Sequence, residues 1–85
     1  MKEIDNEQGF IYWLKGADTG DKAIYYDGFL MKDRETFFQN GGTSENLPEP
    51  LKAANFAWHL YQQGLVRLIQ KKKDLYSYEY IAVKS

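Results

Sequence analysis

Apolar and polar positions alternate along this chain with two different periods, and the changes of period mark its elements. Phe10, Ile11, Trp13 and Leu14 recur at helical spacing after Asp5 and Asn6, either of which can cap a helix, and Gly16 is a natural stop. Ala17 to Asp21 has turn chemistry. Ala23-Ile24-Tyr25-Tyr26 reads as a short strand closed by Asp27-Gly28. The stretch Phe29 to Phe38 supports two readings. Asp27-Gly28 between apolar residues is a hairpin signal, so Phe29-Leu30-Met31 can be a returning strand. Alternatively Phe29, Leu30, Asp33, Phe37 and Phe38 fit a short amphipathic helix, and helix is the preferred expectation.

Gln39 to Glu49, with Gly41-Gly42, Ser44, Asn46 and Pro48, reads as a polar loop. The clearest helix follows, over Leu51 to Gln63, with Pro48 and Pro50 at its entry and Gly64 at its end. At about 100° per residue, Leu51, Ala54, Ala57, Trp58 and Tyr61 fall on one side. Lys52, Asn55, Phe56, His59, Gln62 and Gln63 cluster on the other. This arc predicts a buried Trp58 that anchors the helix near Trp13 or Leu14. Leu65 to Gln70 and Tyr76 to Val83 are strand-like and predict an antiparallel hairpin. Its turn is expected over Lys71-Lys72-Lys73-Asp74-Leu75, near Lys73-Asp74.

This mixture of elements predicts an α+β class, and 85 residues leave room for one domain with one core. Aromatics make up 16% of the chain, and large rings bury much area per residue, which suits so short a chain. There is no Cys, so neither a disulfide nor a thiolate metal site can staple the fold. The apolar runs are too short to span a membrane. The opening residues, with Lys2, Glu3 and Asp5, form no apolar leader, so a cytoplasmic protein is expected. The net charge of −1 conceals an uneven distribution. Residues 1–50 carry five bases and ten acids, whereas residues 51–85 carry six bases and two acids. Such an imbalance is a signal for one face meeting a polyanion.

The order helix, short strand, helix, loop, helix, strand, turn, strand resembles the winged helix-turn-helix family. The most specific stretch is Ala57-Trp58-His59-Leu60-Tyr61-Gln62-Gln63-Gly64-Leu65-Val66-Arg67-Leu68-Ile69-Gln70, which looks like the end of that family's third helix and its first wing strand. The resemblance implies a small winged-helix-like domain of three helices with a C-terminal β-hairpin wing. It further implies a regulatory or accessory protein that binds nucleic acid, duplex DNA before RNA. A short chain of this kind also suits a phage or mobile-element product. Carried over, Lys52, Asn55, His59, Gln62 and Gln63 would meet the major groove, and Lys71, Lys72 and Lys73 would meet phosphates, with Arg67 on the wing strand beside them. Two features depart from the family pattern: the helix has one Lys and no Arg, and a long loop precedes it.

Each of these features also has a plainer reading. The lysine run can be a solvated guard on an edge hairpin. Tyr76, Tyr78 and Tyr80, expected on one strand face, are expected to pack on a helix or across a homodimer rather than on bases. His59 has no neighbouring His or Cys, so no metal site is expected. Asp18, Asp21, Asp27, Asp33 and Glu35 lack calcium-loop spacing and suit turns and caps. Gly41-Gly42-Thr43-Ser44 lacks the Lys of a phosphate loop. No catalytic constellation and no cofactor are expected. The rival to DNA binding is a protein-interaction module on the same scaffold, using the acidic first half and an exposed Phe56 as anchor.

Overall fold

Asn6 begins the first helix: its backbone is extended and its Oδ1 accepts the Gly9 amide at 2.7 Å. That bond satisfies an amide that has no partner inside the helix. In the computed structural model, which describes residues Met1–Ser85, this helix is α1, Glu7–Gly16. The remaining elements are β1 (Lys2–Glu3), β2 (Lys22–Gly28), α2 (Leu30–Gln39), α3 (Glu49–Gln62), β3 (Val66–Asp74) and β4 (Ser77–Lys84). One sheet holds all four strands in the order β1-β2-β4-β3. β1 runs parallel to β2, and β4 pairs antiparallel with both β2 and β3. The molecule is therefore a small α+β domain, with helices on one face of the sheet. None of its helices is long and apolar enough to cross a membrane.

The core lies between α1, α3 and that face. Phe10 is completely buried, and its ring centroid stands 5.9 Å from Trp13, 5.8 Å from Tyr25 and 5.7 Å from Phe56. α3 packs on β2 and β3 through small residues, Ala53, Ala54 and Ala57, with Leu60 completing the row. Alanines keep the helix backbone close to the strands, so a thin layer of side chains fills the space. Gly64 ends α3 with φ +77°, as its amide bonds the Tyr61 carbonyl (3.0 Å) and the Leu65 amide bonds the Leu60 carbonyl (3.0 Å). This crossed pair requires a left-handed residue, which glycine adopts at no steric cost.

Several sequence expectations need correction. Trp58 is not buried: 52% of it is exposed, and Tyr61 beside it is also open to solvent. Phe56, expected on the outer face, packs against the core instead. The buried row of α3 keeps Leu51, Ala54 and Ala57 of the expected arc but is turned towards Ala53 and Leu60, which replace the larger rings. Lys71, Lys72 and Lys73 are not in the turn but within β3, and Leu75-Tyr76 forms the turn. Tyr76 thus leaves the strand row, while Tyr80 is buried and Tyr78 packs at the core's edge. The strand expected at Ala23–Tyr26 extends to Lys22–Gly28, and α3 starts at Glu49. The loop before it contains a single 3-10 turn, Ser44–Asn46. The stretch after Gly28 follows the preferred of its two readings: Leu30–Gln39 is helical, with Phe29 at its N-cap.

Two consequences are measurable. Phe10→Ala should cost about 3–5 kcal/mol in urea melts, and Trp58→Ala under about 1 kcal/mol, because only the first opens a cavity. Burial, and then the neighbouring Tyr80, push the Tyr25 hydroxyl up to about 12. Burial and a bond to Asp33 raise Tyr26 further in the same direction. In the unfolded chain both titrate near about pH 10. Their folded values are raised, so the stability they contribute is complete below about pH 10 and is lost as pH climbs through the folded values. Stability measured from pH 9 to pH 12, as about the accessible window, should fall steeply, and Tyr25→Phe should make the fall shallower.

Candidate functional site

The face of α3 turned away from the core carries Lys52, Asn55, His59 and Gln62, with Gln63 following at its cap. His59, Gln62 and Gln63 are exposed, and their side chains bond to nothing within the chain. The other two are engaged. Lys52 Nζ lies 3.6 Å from Glu49 Oε1, and Asn55 Oδ1 accepts Arg34 Nη2 at 2.6 Å. Arg34 comes from α2, so this bond ties the two helices together beside the outer face.

The hairpin distributes its cations over both faces of the sheet. Lys71 is registered with Glu79 and Lys72 with Tyr78. Since successive strand residues alternate in direction, Arg67, Ile69 and Lys71 point to the face away from the helices with Ile81 and Glu79. Leu68, Gln70 and Lys72 point to the helix side with Tyr78 and Tyr80. Lys73 reaches across β4 to Asp27 Oδ2 at 2.9 Å, and this hydrogen bond raises its pKa above the ordinary lysine range. The three lysines therefore form no single patch.

Between α2, α3 and the hairpin lies a cleft of about 600 Å³. Phe29, Met31, Trp58 and Tyr78 form its apolar walls, and Arg34 and Gln70 supply the polar groups. Gly28, at φ +145°, turns the chain from β2 into α2 and brings Phe29 within 5.8 Å of the Tyr78 ring. Trp58 rests on Tyr61 with ring centroids 5.3 Å apart. α2 forms one wall yet buries no residue fully. It is held by polar contacts: Tyr26 Oη donates to Asp33 Oδ2 (2.6 Å), Leu30 N–H donates to Tyr80 Oη (3.2 Å), and Arg34 reaches Asn55. The cleft was not foreseen from sequence. Its one visible signal was a Trp and a Tyr on a helix that also carries five alanines and leucines fit to pack.

A second hollow, of about 530 Å³, is bordered by Glu3, Asp5, Asp27, Tyr26 and Pro50. No three His, Cys, Asp or Glu side chains stand close enough to hold a metal ion. The His59 side chain is exposed and makes no hydrogen bond to a hydroxyl or carboxylate. No protein-family model, curated protein or solved structure matches the chain.

The Arg34–Asn55 bond is the contact joining α2 to α3 most directly, and a hydrogen bond to a charged group is worth about 1.5–3 kcal/mol. Arg34→Met should therefore speed hydrogen exchange in α2 by about tenfold or more while exchange in β4 stays nearly as slow, since local opening precedes global unfolding.

Proposed function

We propose that this chain is a winged-helix module that binds duplex DNA in a regulatory or accessory role. The single observation that carries this reading is the order α1, β2, α2, α3, β3, β4, which leaves a polar helix face exposed beside a cationic hairpin. On this reading α3 offers His59, Gln62 and Gln63 to base edges, while Lys52 and Asn55 must first exchange their internal partners. An amide such as Gln can bond an adenine edge in bidentate fashion. Lysine neutralises phosphate and releases counterions without regard to sequence. Lys72, on the helix side of the hairpin, is the wing cation best directed towards a duplex lying along α3. Lys71 and Arg67 face the other side, and Lys73 is occupied by Asp27.

A second reading, a protein-interaction module on the same scaffold, is favoured by a separate observation, the exposed aromatic cleft around Trp58. Exposed rings rimmed by polar groups are characteristic of interaction sites. Phe56 cannot serve as its anchor, since that ring packs against Phe10.

Salt-titrated binding to random duplex DNA separates the contributions. Lys72→Ala should lower the slope of log affinity against log salt by about 0.9, and Lys73→Ala should lower it much less. Gln62→Ala should leave the slope intact and alter sequence preference by about 1–3 kcal/mol. Absence of duplex binding by the wild type at low salt overturns the DNA reading.

A further inference from the structure

We propose that an acidic peptide in extended conformation adds as a further strand to the free edge of β3 and seats one bulky apolar side chain in the Trp58 cleft. This rests on the protein-interaction reading and specifies the partner. β3 is the last strand of the sheet, nine residues long and paired only with β4. Every second backbone amide and carbonyl along its outer edge is therefore available to another strand.

Charge selects the occupant. Along β3, Arg67, Lys71 and Lys72 have no ion-pair partner, and the acid Asp74 sits at the turn, where its Oδ1 accepts the Tyr76 amide. A second copy of the chain, paired edge to edge, would bring these cations against each other, which is destabilising. A strand bearing carboxylates is complementary on both faces, because Lys71 and Lys72 project to opposite sides. A single-stranded nucleic acid would need cations tracking its backbone past the rings. The cleft holds only Arg34, already bonded to Asn55.

Gln70 links the edge to the cleft, since it belongs to β3 and lines the cleft wall. A residue of the added strand opposite Gln70 would project to the same face at about 5 Å, towards Trp58, Met31 and Phe29. Met31 is an adaptable wall and Trp58 a flat one, so the recess accepts an aliphatic or aromatic side chain without demanding one shape.

The test uses the whole chain and synthetic peptides of about eight residues, close to the usual strand length, with a central Leu, a Glu-Glu pair on each side of it so that carboxylates project to both faces, and Val elsewhere. A counterpart carries Lys in place of Glu. Trp13 is buried and Trp58 exposed, so a shift of tryptophan emission on titration reports on Trp58. The acidic peptide should shift it, bind at least about tenfold more tightly than the basic one, and lose at least about tenfold in affinity in Trp58→Ala, measured by anisotropy of a labelled peptide. Amide exchange in β3 should slow on binding, which occupation of the cleft alone would not cause. Equal responses to both peptides would preserve the cleft as a binding site yet overturn the acidic strand. No response to either overturns the proposal and removes support from the protein-interaction reading. Binding with unchanged β3 exchange overturns the strand geometry. A Trp58 shift with oligothymidylate and none with the acidic peptide assigns the cleft to nucleic acid and overturns it as well.

Discussion

Phe10 sits where the first helix, the third helix and the sheet converge, and Trp13, Tyr25 and Phe56 close around it. With no Cys in the chain and no metal-ligand cluster, this contact has no covalent or ionic reinforcement. Each aromatic pair contributes about 0.5–1.5 kcal/mol beyond the area it buries. For a domain whose total stability is of order 5–15 kcal/mol, three such pairs meeting on one ring decide whether the helices dock. The positions of α3, and hence of its outer face, follow from that docking. The outer polar row is exposed because the opposite row is committed to Phe10 and to the strands.

The same packing explains why part of the helix was legible in the sequence and part was not. Its existence, its proline-rich entry and its glycine stop are local features, and Leu51–Gln63 was expected where Glu49–Gln62 is found. Its rotation is not local. A helical wheel weighs side chains by apolarity, which favours Trp58 and Tyr61, whereas the space above a sheet favours small residues. Ala53 and Ala57 fit that space with no surface left exposed. Once they face the strands, Trp58 must point away. The winning effect is close approach of the helix backbone, which lets many atoms reach contact distance at once.

Around α2 the limits of local reading are of a different kind. Asp27-Gly28 can turn a hairpin or start a helix, and the choice rests on distant partners. Strand β4 already occupies one edge of β2 as far as Gly28, which pairs with Tyr78, and β1 takes part of the other at Ala23 and Ile24. The residues after Gly28 therefore leave the sheet. Tyr80, fifty positions away, offers its hydroxyl to the Leu30 amide, a service usually performed by a Ser or Asp at the helix start. α2 is thus a helix selected by tertiary contacts, with no fully buried residue of its own. That is why Met31, and Phe29 at the helix's N-cap, remain as cleft walls.

Charge shows a similar separation between what a sequence displays and what a fold does with it. The basic second half was legible, and so was the cluster at Lys71–Lys73. The alternation of a strand then divides the cluster, and Asp27, from the acidic half, crosses the sheet to occupy Lys73. Lys73 is exposed, so the pair adds little stability. Its effect is to alter the shape of the remaining field. What is left free is an edge with Lys71 and Lys72 facing opposite ways, beside a cleft of uncharged rings. A duplex backbone lies on one side of such an edge and reaches one of the two cations, whereas an extended chain lying along the edge passes between them and can meet both.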